Sequence, residues 1–415
     1  MKGPASGQGW QQQTARMGFV ATLPFAAARA CVLEKVTAAR VPPATEEVDL
    51  DDAAGRVLAE EVTADRDYPA AARSIRDGYA VRSADLPGRL RVIGEVRAGE
   101  AFPGEVGPGE ALEIMTGAPL PRGADAVVMV EEVTRDGDTI RAPAASVGRH
   151  ISPQSCEARR GEAVLEPGGR LGFAELAMLA RVGKARVEVY RRTRVAILAT
   201  GDELVAVAAQ PLEYQVRDSN SHSLAAQVRR AGAIPEVLPV ARDSHAAMRE
   251  LLERGLNSDL LLISGGVSAG RYDVVEDVLA GLGAEFYFDR VEIRPGRPTV
   301  FGRAGNVFFF GLPGNPVSTM VTFEIFARAA LELLGGQSEA ALPLVLARLT
   351  GEVRHQPGLT RFLPARLSLD GAEVAPVRWH GSGDVFAVAR ANSWMVAEAE
   401  RGTWQPGEQV RVLVR

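Results

Sequence analysis

The stretch that decides the fold is "DLLLISGGVSAG", residues 259–270. Its apolar core, Leu260 to Ile263, does not alternate with polar residues, which is typical of a strand buried on both faces of a parallel sheet. Gly265 and Gly266 follow the strand, and "DVVEDVLAGLG" (273–283) then predicts a helix. A strand, a glycine loop and a helix in this order are half of a β-α-β unit.

The same alternation continues on both sides of this stretch. Further strands are predicted in "RVAILAT" (194–200), "IPEVLPV" (234–240), "AEFYFDRVEI" (284–293) and "NVFFF" (306–310). Helices are predicted in "SHSLAAQVRRAG" (221–232), in "DSHAAMRELLERGL" (243–256) with a cap at Asp243 or Ser244, and in "VSTMVTFEIFARAALELLGG" (317–336). We therefore predict a doubly wound α/β domain over residues 191–336, with a parallel sheet covered by helices on both faces.

The rest of the chain has a different pattern. Residues 67–150 alternate between apolar and polar positions and carry the hairpin signal Asp136-Gly137, which predicts a β-rich domain. Residues 20–66 read as a helix followed by strand, helix and strand, and 151–190 contain a helix that ends at Gly183. Residues 337–415 alternate again and predict a small barrel or sandwich. The fold class is therefore α/β plus β in several domains, as the length of 415 residues also suggests.

Composition excludes several classes of protein. The formal net charge of −5 gives no footprint for general nucleic-acid binding, so any anion site must be local. Cys31 and Cys156 stand far apart, which excludes a disulfide framework and a cysteine zinc site and favours a reducing, cytoplasmic location. No apolar run is long enough to span a membrane, and the apolar stretch 17–30 is too short and interrupted for a good signal peptide. The polar start, residues 1–16, predicts a disordered extension.

Ligands of open α/β sheets bind beyond the carboxyl ends of the strands. Four loops follow predicted strands and should meet at that edge, namely Gly201-Asp202-Glu203, "GGVSAG" (265–270), "RPGRP" (294–298) and "GLPGNP" (311–316).

The two glycine-rich loops have the features of anion sites. Gly265 and Gly266 allow close approach of the backbone to a ligand, and the hydroxyls of Ser264 and Ser268 can donate to phosphate oxygens. In the loop 311–316, Pro316 suits a first helical position and Asn315 a cap, so that the helix N-terminus could receive an anion. An ordinary strand-to-helix turn and an ordinary helix cap remain open as alternatives.

Arginines and acids complete the predicted edge. Pro295 and Pro298 restrict the turn that carries Arg294 and Arg297, which favours a clamp for phosphate or another oxyanion over two solvated side chains. Acidic residues beside a phosphate pocket predict a hard divalent cation, most often Mg²⁺. The candidate metal ligands are Asp202, Glu203, Asp218 and Asp273, and for Asp218 a helix cap is the alternative.

With these residues identified, a family resemblance follows. The chain resembles the molybdopterin molybdenumtransferase family, which includes bacterial MoeA and the E domain of gephyrin, over about residues 22–415. The motifs that carry the resemblance are "DGYAV" (77–81), "AGEAFPG" (98–104), "MTGAPLPRGADAVVMVEE" (115–132), "TGDEL" (200–204), "DSN" (218–220), "SGGVSAG" (264–270), "PGRP" (295–298), "GLPGNPVS" (311–318) and "GSG" (381–383).

The resemblance implies an elongated homodimer of four-domain subunits. One domain joins residues 20–66 to 151–190, the β-rich domain 67–150 is inserted in it, and the domains 191–336 and 337–415 follow. The implied reaction takes adenylylated molybdopterin and molybdate, releases AMP and leaves molybdenum on the dithiolene, with a divalent cation assisting. The implied site lies between the α/β domain of one subunit and the inserted domain of the other, and the molybdopterin adenylyltransferase is a possible partner.

The resemblance also gives roles to residues that no local pattern singles out. It implies that Asp77 positions a metal or water and that Thr116 donates a hydrogen bond to an anion. Asp202, Glu203 and Asp273 would hold metal and polar ligand groups. The loops that would cradle the pterin phosphate and the adenylate contribute Ser264, Gly265, Gly266, Ser268, Pro313, Gly314, Asn315, Pro316 and Ser318, and the C-terminal domain contributes Ser382.

Some positions depart from the family pattern. Arginines stand at 294 and 297 where lysines are usual, and His150 replaces an acid or amide. Basic residues also occupy positions 73, 76 and 271, where the family usually has Asn, Met and an acid. These changes leave a catalytically weakened molybdopterin-binding paralogue or scaffold as the alternative. An adenylyltransferase is disfavoured by the extra β domains, and a nicotinamide dehydrogenase by the lack of G-x-G-x-x-G after a first strand.

Overall fold

The computed structural model describes residues 22–242, 244–266 and 274–415. The predicted extension 1–16, and with it the start of the stretch 17–30, lies outside these ranges, as do Asp243, Ser268, Arg271 and Asp273. The chain divides into two compact units. One contains the N-terminal part up to Glu46, residues 55–57 and residues 189–415, and the other contains residues 47–54 and 58–188.

The N-terminal region is less helical than its sequence pattern predicts. The helix expected between two short strands of this region is only a three-residue 3-10 helix, Leu50–Asp52. Gly55, which has a φ of +73°, follows closely and does not favour a longer helix. The regular elements of the region are β1 Thr22–Leu23, α1 Phe25–Ala39, β2 Thr45–Asp49 and β3 Val62–Thr63.

The β-rich segment forms a six-stranded sheet in the order β8-β5-β7-β6-β10-β9. Its strands are β5 Gly78–Val81, β6 Gly88–Val96, β7 Glu110–Ile114, β8 Ala126–Met129, β9 Thr134–Asp136 and β10 Thr139–Ala142, and β4 Arg73–Ser74 precedes them. The hairpin predicted at Asp136-Gly137 joins β9 and β10, and Gly137 has a φ of +58°. Apolar clusters cover both faces, with Tyr79 and Val81 on one and Ala80 and Leu112 on the other.

The segment after this sheet contains the short strands β11 Ile151–Ser152 and β12 Ala163–Leu165, the helix α2 Phe173–Arg181 and the strand β13 Arg186–Tyr190. Gly183, with a φ of +78°, stands just beyond α2 and confirms the predicted end of this helix.

The α/β domain is built on a six-stranded sheet in the order β17-β14-β18-β23-β22-β19. Its elements are β14 Arg194–Ala199, β15 Leu204–Val205, β16 Val216–Arg217, α3 Asn220–Arg230, β17 Ile234–Val237, α4 His245–Gly255, β18 Leu260–Ser264, α5 Val274–Gly281, β19 Glu285–Phe288, β20 Arg290–Val291, β21 Ile293–Arg294, β22 Val300–Ala304, β23 Val307–Leu312, α6 Pro316–Thr322 and α7 Arg328–Leu334. Ser244, one of the two predicted caps, caps α4 because its side chain accepts a hydrogen bond from the N–H of Ala247.

The sheet is mixed, so the prediction of a purely parallel sheet is wrong at one edge. Strands β17, β14, β18 and β23 are parallel, whereas β22 is antiparallel to both of its neighbours. The cause is a tight hairpin at Gly305, which has a φ of +58° and returns the chain from β22 into β23. Since β19 is antiparallel to β22, it runs in the same direction as β23, and its carboxyl end lies at the same edge.

Alternate strand residues build the two layers that cover this sheet. Val195 and Ile197 pack into a cluster with α1, α3, α6 and α7, while Ala196 and Leu198 pack into another with α4 and α5. The long helix predicted at 317–336 is confirmed, but it changes at Phe323–Ala327 into a π-helical turn between α6 and α7. None of the described helices is long and apolar enough to cross a membrane.

The C-terminal region is a closed five-stranded barrel, which settles the choice between barrel and sandwich. Strand β26 pairs with β27 and also with β28, so that the order β26-β27-β24-β30-β28 returns to β26. The elements are β24 Leu344–Leu349, β25 Val353–Arg354, β26 Thr360–Leu367, β27 Glu373–Pro376, α8 Val385–Arg390, β28 Ser393–Ala397, β29 Thr403–Trp404 and β30 Gln409–Val414. Strand β21 of the α/β domain pairs with β26 in parallel.

Candidate active site

A cavity of about 820 Å³ lies where the carboxyl edge of the α/β sheet meets the barrel. The turn 293–298 forms one wall, and the loop before α6 forms another. Six of the predicted binding residues line it, namely Arg294, Arg297, Pro313, Asn315, Ser318 and Ser382. The barrel adds residues that the sequence patterns do not single out, among them His355, Arg361, Trp379 and His380.

The turn that carries the two arginines is rigid in its centre and exposed at its charges. Pro295 and Gly296 are buried, whereas the side chains of Arg294 and Arg297 are exposed. The carbonyl of Gly296 accepts a hydrogen bond of 2.6 Å from the hydroxyl of Thr299. Within the described part of the chain, neither arginine forms an ion pair, so both charges remain available to a ligand.

A third arginine stands beside this turn. Arg294 is in register with Arg361 across the β21–β26 pair. Burial, and then the positive charge of Arg294, lower the pKa of the Arg361 guanidinium. Two guanidinium groups held this close favour a shared anion between them. Sequence reasoning missed Arg361 because a single arginine in an alternating strand gives no signal.

The loop before α6 is held by the barrel. Pro316 occupies the first position of the helix as predicted, but the Asn315 side chain makes no capping hydrogen bond. The N–H of Val317 donates to the carbonyl of Ser382 at 3.0 Å. This contact places the Ser382 segment against the helix, and it also occupies one N–H of the N-terminus that was predicted to bind an anion.

The glycine loop after β18 is tightly fitted. A Cβ on Gly265 would lie 2.8 Å from the carbonyl oxygen of Thr200, and a Cβ on Gly266 would lie 2.6 Å from Val275. Both glycines also have positive φ angles, of +90° and +65°. The N–H of Gly265 donates to the carbonyl of Leu312, so the strand edge rather than a ligand satisfies it.

One buried amide joins the two glycine-rich loops. Asn220 Nδ2 donates to the Ser264 hydroxyl at 2.8 Å and to the Gly314 carbonyl at 2.7 Å. Ser264 is itself almost fully buried. Asn220 was visible only as part of the "DSN" motif. The contacts show Ser264 and Gly314 as parts of one hydrogen-bonded unit, and their binding of phosphate stays a prediction, as does that of Ser268, which lies outside the described residues.

The predicted metal ligands occupy different environments. Asp202 and Glu203 are exposed after β14, and Asp202 Oδ1 lies 3.8 Å from the Arg242 guanidinium. Asp218 is buried and accepts from the N–H of Ser221 at 3.0 Å, as its helix-capping alternative predicts. Asp273 lies outside the described residues, among which no three His, Cys, Asp or Glu side chains are grouped to hold a metal. The oxygen donors of Asp202 and Glu203 suit Mg²⁺ chemically, and metal binding stays a prediction.

In the β-rich sheet, Asp77 and Thr116 form a defined pair. Asp77 Oδ1 accepts from the Thr116 N–H at 2.7 Å and from its hydroxyl at 2.8 Å. These two bonds, first the N–H and then the hydroxyl, lower the pKa of Asp77. The next residue, Gly78, has no room for a side chain, because a Cβ would lie 2.0 Å from the carbonyl oxygen of Val128. The Asp77 carboxylate is therefore ionised and held in a fixed orientation by Thr116, and both residues are exposed.

His150, the position that departs from the family pattern, has a left-handed backbone with a φ of +54°. Its carbonyl accepts from the N–H of Ile75 at 3.0 Å, close in sequence to Asp77. Its ring accepts a hydrogen bond of 3.3 Å from Arg149, so the side chain is tied to a cation.

Comparisons with known proteins agree with this arrangement. Three family models match, "MoeA N-terminal region (domain I and II)" over residues 23–183, "Probable molybdopterin binding domain" over 196–333 and "MoeA C-terminal region (domain IV)" over 346–414. The molybdopterin molybdenumtransferase of a Nostoc species is 35% identical over 386 residues, which cover 89% of this chain and 88% of the relative. The Bacillus subtilis protein of the same name is also 35% identical and covers 89% of this chain and 90% of the relative.

A solved structure supports the same relationship. The molybdopterin biosynthesis MoeA protein from Pyrococcus horikoshii is 29% identical and superposes with a TM-score of 0.80, over 95% of this chain and 100% of that chain. The identity to the curated relatives extends over nearly their whole length, and the three family models follow each other in order along the chain. The chain belongs to the molybdopterin molybdenumtransferase family.

Proposed function

We propose that this protein acts in molybdenum cofactor biosynthesis as a transferase that inserts molybdenum from molybdate into adenylylated molybdopterin and releases AMP. The observation that carries the proposal is similarity, over 88–90% of their length, to relatives named for this activity. The cavity supports the proposal, because Arg294 and Arg297, which form no ion pair with a described residue, line it beside hydroxyl and amide groups. Such groups suit two anionic substrates, the pyrophosphate of adenylylated molybdopterin and molybdate.

We assign the binding of anions to the arginine turn. Arg294 and Arg297 present fixed charges, and Arg361 stands in register with the first of them. A guanidinium can bind an oxyanion through two parallel hydrogen bonds, which an ammonium cannot. In this proposal the three arginines orient molybdate and the pyrophosphate group, and Asn315, Ser318 and Ser382 provide neutral contacts around them.

The remaining ligand contacts follow the sequence prediction. The loops at Ser264–Ser268 and Pro313–Ser318 would receive the pterin phosphate and the adenylate. Asp202 and Glu203, with Asp218 and Asp273, would hold Mg²⁺. The cation would supply charge stabilisation at the phosphate oxygens.

We further propose a cytoplasmic homodimer with a shared site. Asp77 and Thr116 form an exposed, hydrogen-bonded pair on the β-rich sheet. In this proposal the α/β domain of the other subunit brings the bound substrate to this pair. The substrate would come from the molybdopterin adenylyltransferase. The four-domain division at residues 20–66 with 151–190, 67–150, 191–336 and 337–415 belongs to the same proposal.

The test is an AMP-release assay. Purified protein is mixed with adenylylated molybdopterin and Mg²⁺, with molybdate or tungstate in parallel, and AMP and metal-loaded cofactor are measured by chromatography. We expect AMP release that depends on the oxyanion. Tight binding of the adenylylated pterin without any AMP release would contradict the proposal.

A further inference from the structure

His380 lines the same cavity as Arg294, Arg297 and Ser382, although no sequence pattern marks it as functional. Its side chain is 78% exposed, so the ring contributes little to packing. An exposed imidazole is held in a fixed place only if a polar partner holds it. The partner here is Asp384.

Asp384 binds the histidine at two points. Its Oδ2 lies 3.2 Å from His380 Nδ1 and accepts from the His380 backbone N–H at 3.0 Å. Its other oxygen accepts from the N–H of Ala387 and caps α8. The N–H of Ala387 and then that of His380 lower the pKa of Asp384, so the carboxyl group is ionised near neutral pH.

This geometry fixes the tautomer of the ring. An ionised carboxylate can only accept, so Nδ1 of His380 carries the hydrogen that it shares with Asp384. The lone pair of the neutral ring is then on Nε2. No described residue forms a hydrogen bond with Nε2, and the nitrogen is left for a ligand or a water molecule.

The other charges that line the cavity do not provide a base. Arg294, Arg297 and Arg361 are permanent cations, and Glu352 is paired with Arg354. His355 lines the cavity too, but its Nδ1 lies 2.9 Å from the Gln356 carbonyl oxygen and its Nε2 is buried, so neither nitrogen is placed to take a proton from a water molecule in the cavity. Hydrolysis of a phosphoric anhydride, by contrast, requires removal of a proton from the attacking water.

We infer that His380 is the general base for hydrolysis of the adenylate, with Asp384 as its positioning residue. This inference rests on the proposed function. Nε2 accepts a proton from a water molecule while the water oxygen forms a bond to phosphorus of the anhydride. The bond from that phosphorus to the bridging oxygen breaks, and the bridging oxygen leaves with the electron pair as part of the second phosphate. The proton on Nε2 then passes to solvent.

The test uses His380→Ala in the full-length protein with adenylylated molybdopterin, Mg²⁺ and molybdate. We expect AMP release to fall by about 100-fold or more, because general bases contribute about 10²–10⁴-fold, while affinity for the adenylylated pterin is kept. Added imidazole should restore part of the lost rate. Asp384→Asn retains the helix cap, since Asn caps as well as Asp, and should give a smaller loss of rate.

A matched control is His245→Ala. His245 is an exposed histidine at the start of α4, and imidazole should not alter the rate of this variant. Circular dichroism checks that all variants fold. A wild-type rate of AMP release in His380→Ala would overturn the inference. The inference would also be overturned if imidazole did not restore the rate of a slow His380→Ala variant, or if that variant had lost affinity for the adenylylated pterin. If the wild-type protein itself releases no AMP, the proposed function fails instead.

Discussion

Gly296, at the centre of the arginine turn, should be the least replaceable residue of the cavity wall. Its φ of +106° is a backbone conformation that residues with a side chain rarely adopt. A Cβ at this position would lie 2.4 Å from Cγ2 of Thr322 and 3.3 Å from Cδ1 of Ile293. Gly296→Ala must therefore strain the backbone and also displace α6 or the turn.

Two contributions set the expected loss of stability. A left-handed backbone costs about 1–2 kcal/mol for an alanine. Carbon atoms prefer separations of about 3.5–4.0 Å, so the new methyl group and Thr322 must move apart by about 1 Å, and such overpacking costs about 1–3 kcal/mol. The free energy of unfolding should fall by about 2–5 kcal/mol in total.

Urea unfolding of the variants measures this loss, and Gly305→Ala is the control. Gly305 also has a positive φ, of +58°, but no atom lies within 4 Å of its added Cβ, so only the backbone strain should appear. Thr322→Ser removes the colliding methyl group and keeps the hydroxyl, which donates to the Ser318 carbonyl at 2.8 Å. The free energy of unfolding of the double variant Gly296→Ala/Thr322→Ser should fall by about 1–3 kcal/mol less than the sum of the losses in the two single variants.

The reasoning would be refuted if Gly296→Ala were no more destabilising than Gly305→Ala. It would also be refuted if the effects of Gly296→Ala and Thr322→Ser simply added, because the two side chains would then not collide. Among folded variants, AMP release should fall in Gly296→Ala and not in Gly305→Ala, since only the former moves the arginines.

Three further outcomes are expected. Arg297→Ala should reduce oxyanion-dependent AMP release and leave the urea midpoint nearly unchanged, and unchanged release would show the arginine to be ordinary surface. Thr116→Val should raise the pKa of Asp77 towards its usual range in a carboxyl NMR titration, because one of the two hydrogen bonds is lost, and an unmoved pKa would contradict the assignment. Since the pKa of Asp77 is depressed in the folded protein, any stability that this bond provides is present at neutral pH and is lost in acid. Burial raises the pKa of the Cys31 thiol, so iodoacetamide should modify exposed Cys156 first by mass spectrometry, and faster labelling of Cys31 would count against the structure.

Sequence patterns predict the α/β core well because burial on both faces leaves continuous apolar strands. The stretch 259–264 became the central strand β18, and the alternation of Val195 and Ile197 with Ala196 and Leu198 supplies both helix layers. Sequence reasoning missed β22, which "TVFGRAGN" (299–306) joins to β23 through a hairpin. Gly305-Asn306 was the signal for that hairpin, because a glycine beside an asparagine between two apolar runs is typical of a two-residue turn.

The site was predictable to the extent that it lies on loops after strands. The turn 293–298 and the loop 311–318 converge on one cavity because the strands before them end at the same edge. Of the residues that enter from the C-terminal region, the family resemblance predicted Ser382, whereas Arg361 and His380 were not predictable because they reach the cavity through tertiary packing alone. The buried position of Ser264 was hidden for a similar reason, because its partner Asn220 lies 44 positions away in the sequence.

The short pairing between β21 and β26 has a consequence for how this protein could be recombined. Ile293 and Arg294 belong to the region matched by the molybdopterin-binding model, whereas their partners Thr360 and Arg361 belong to the region matched by the C-terminal model. A chimaera joined anywhere between residues 334 and 345 would exchange one half of this pairing for that of a relative. The backbone pairing could form in such a chimaera, but the two arginines that face each other across it would then come from different proteins.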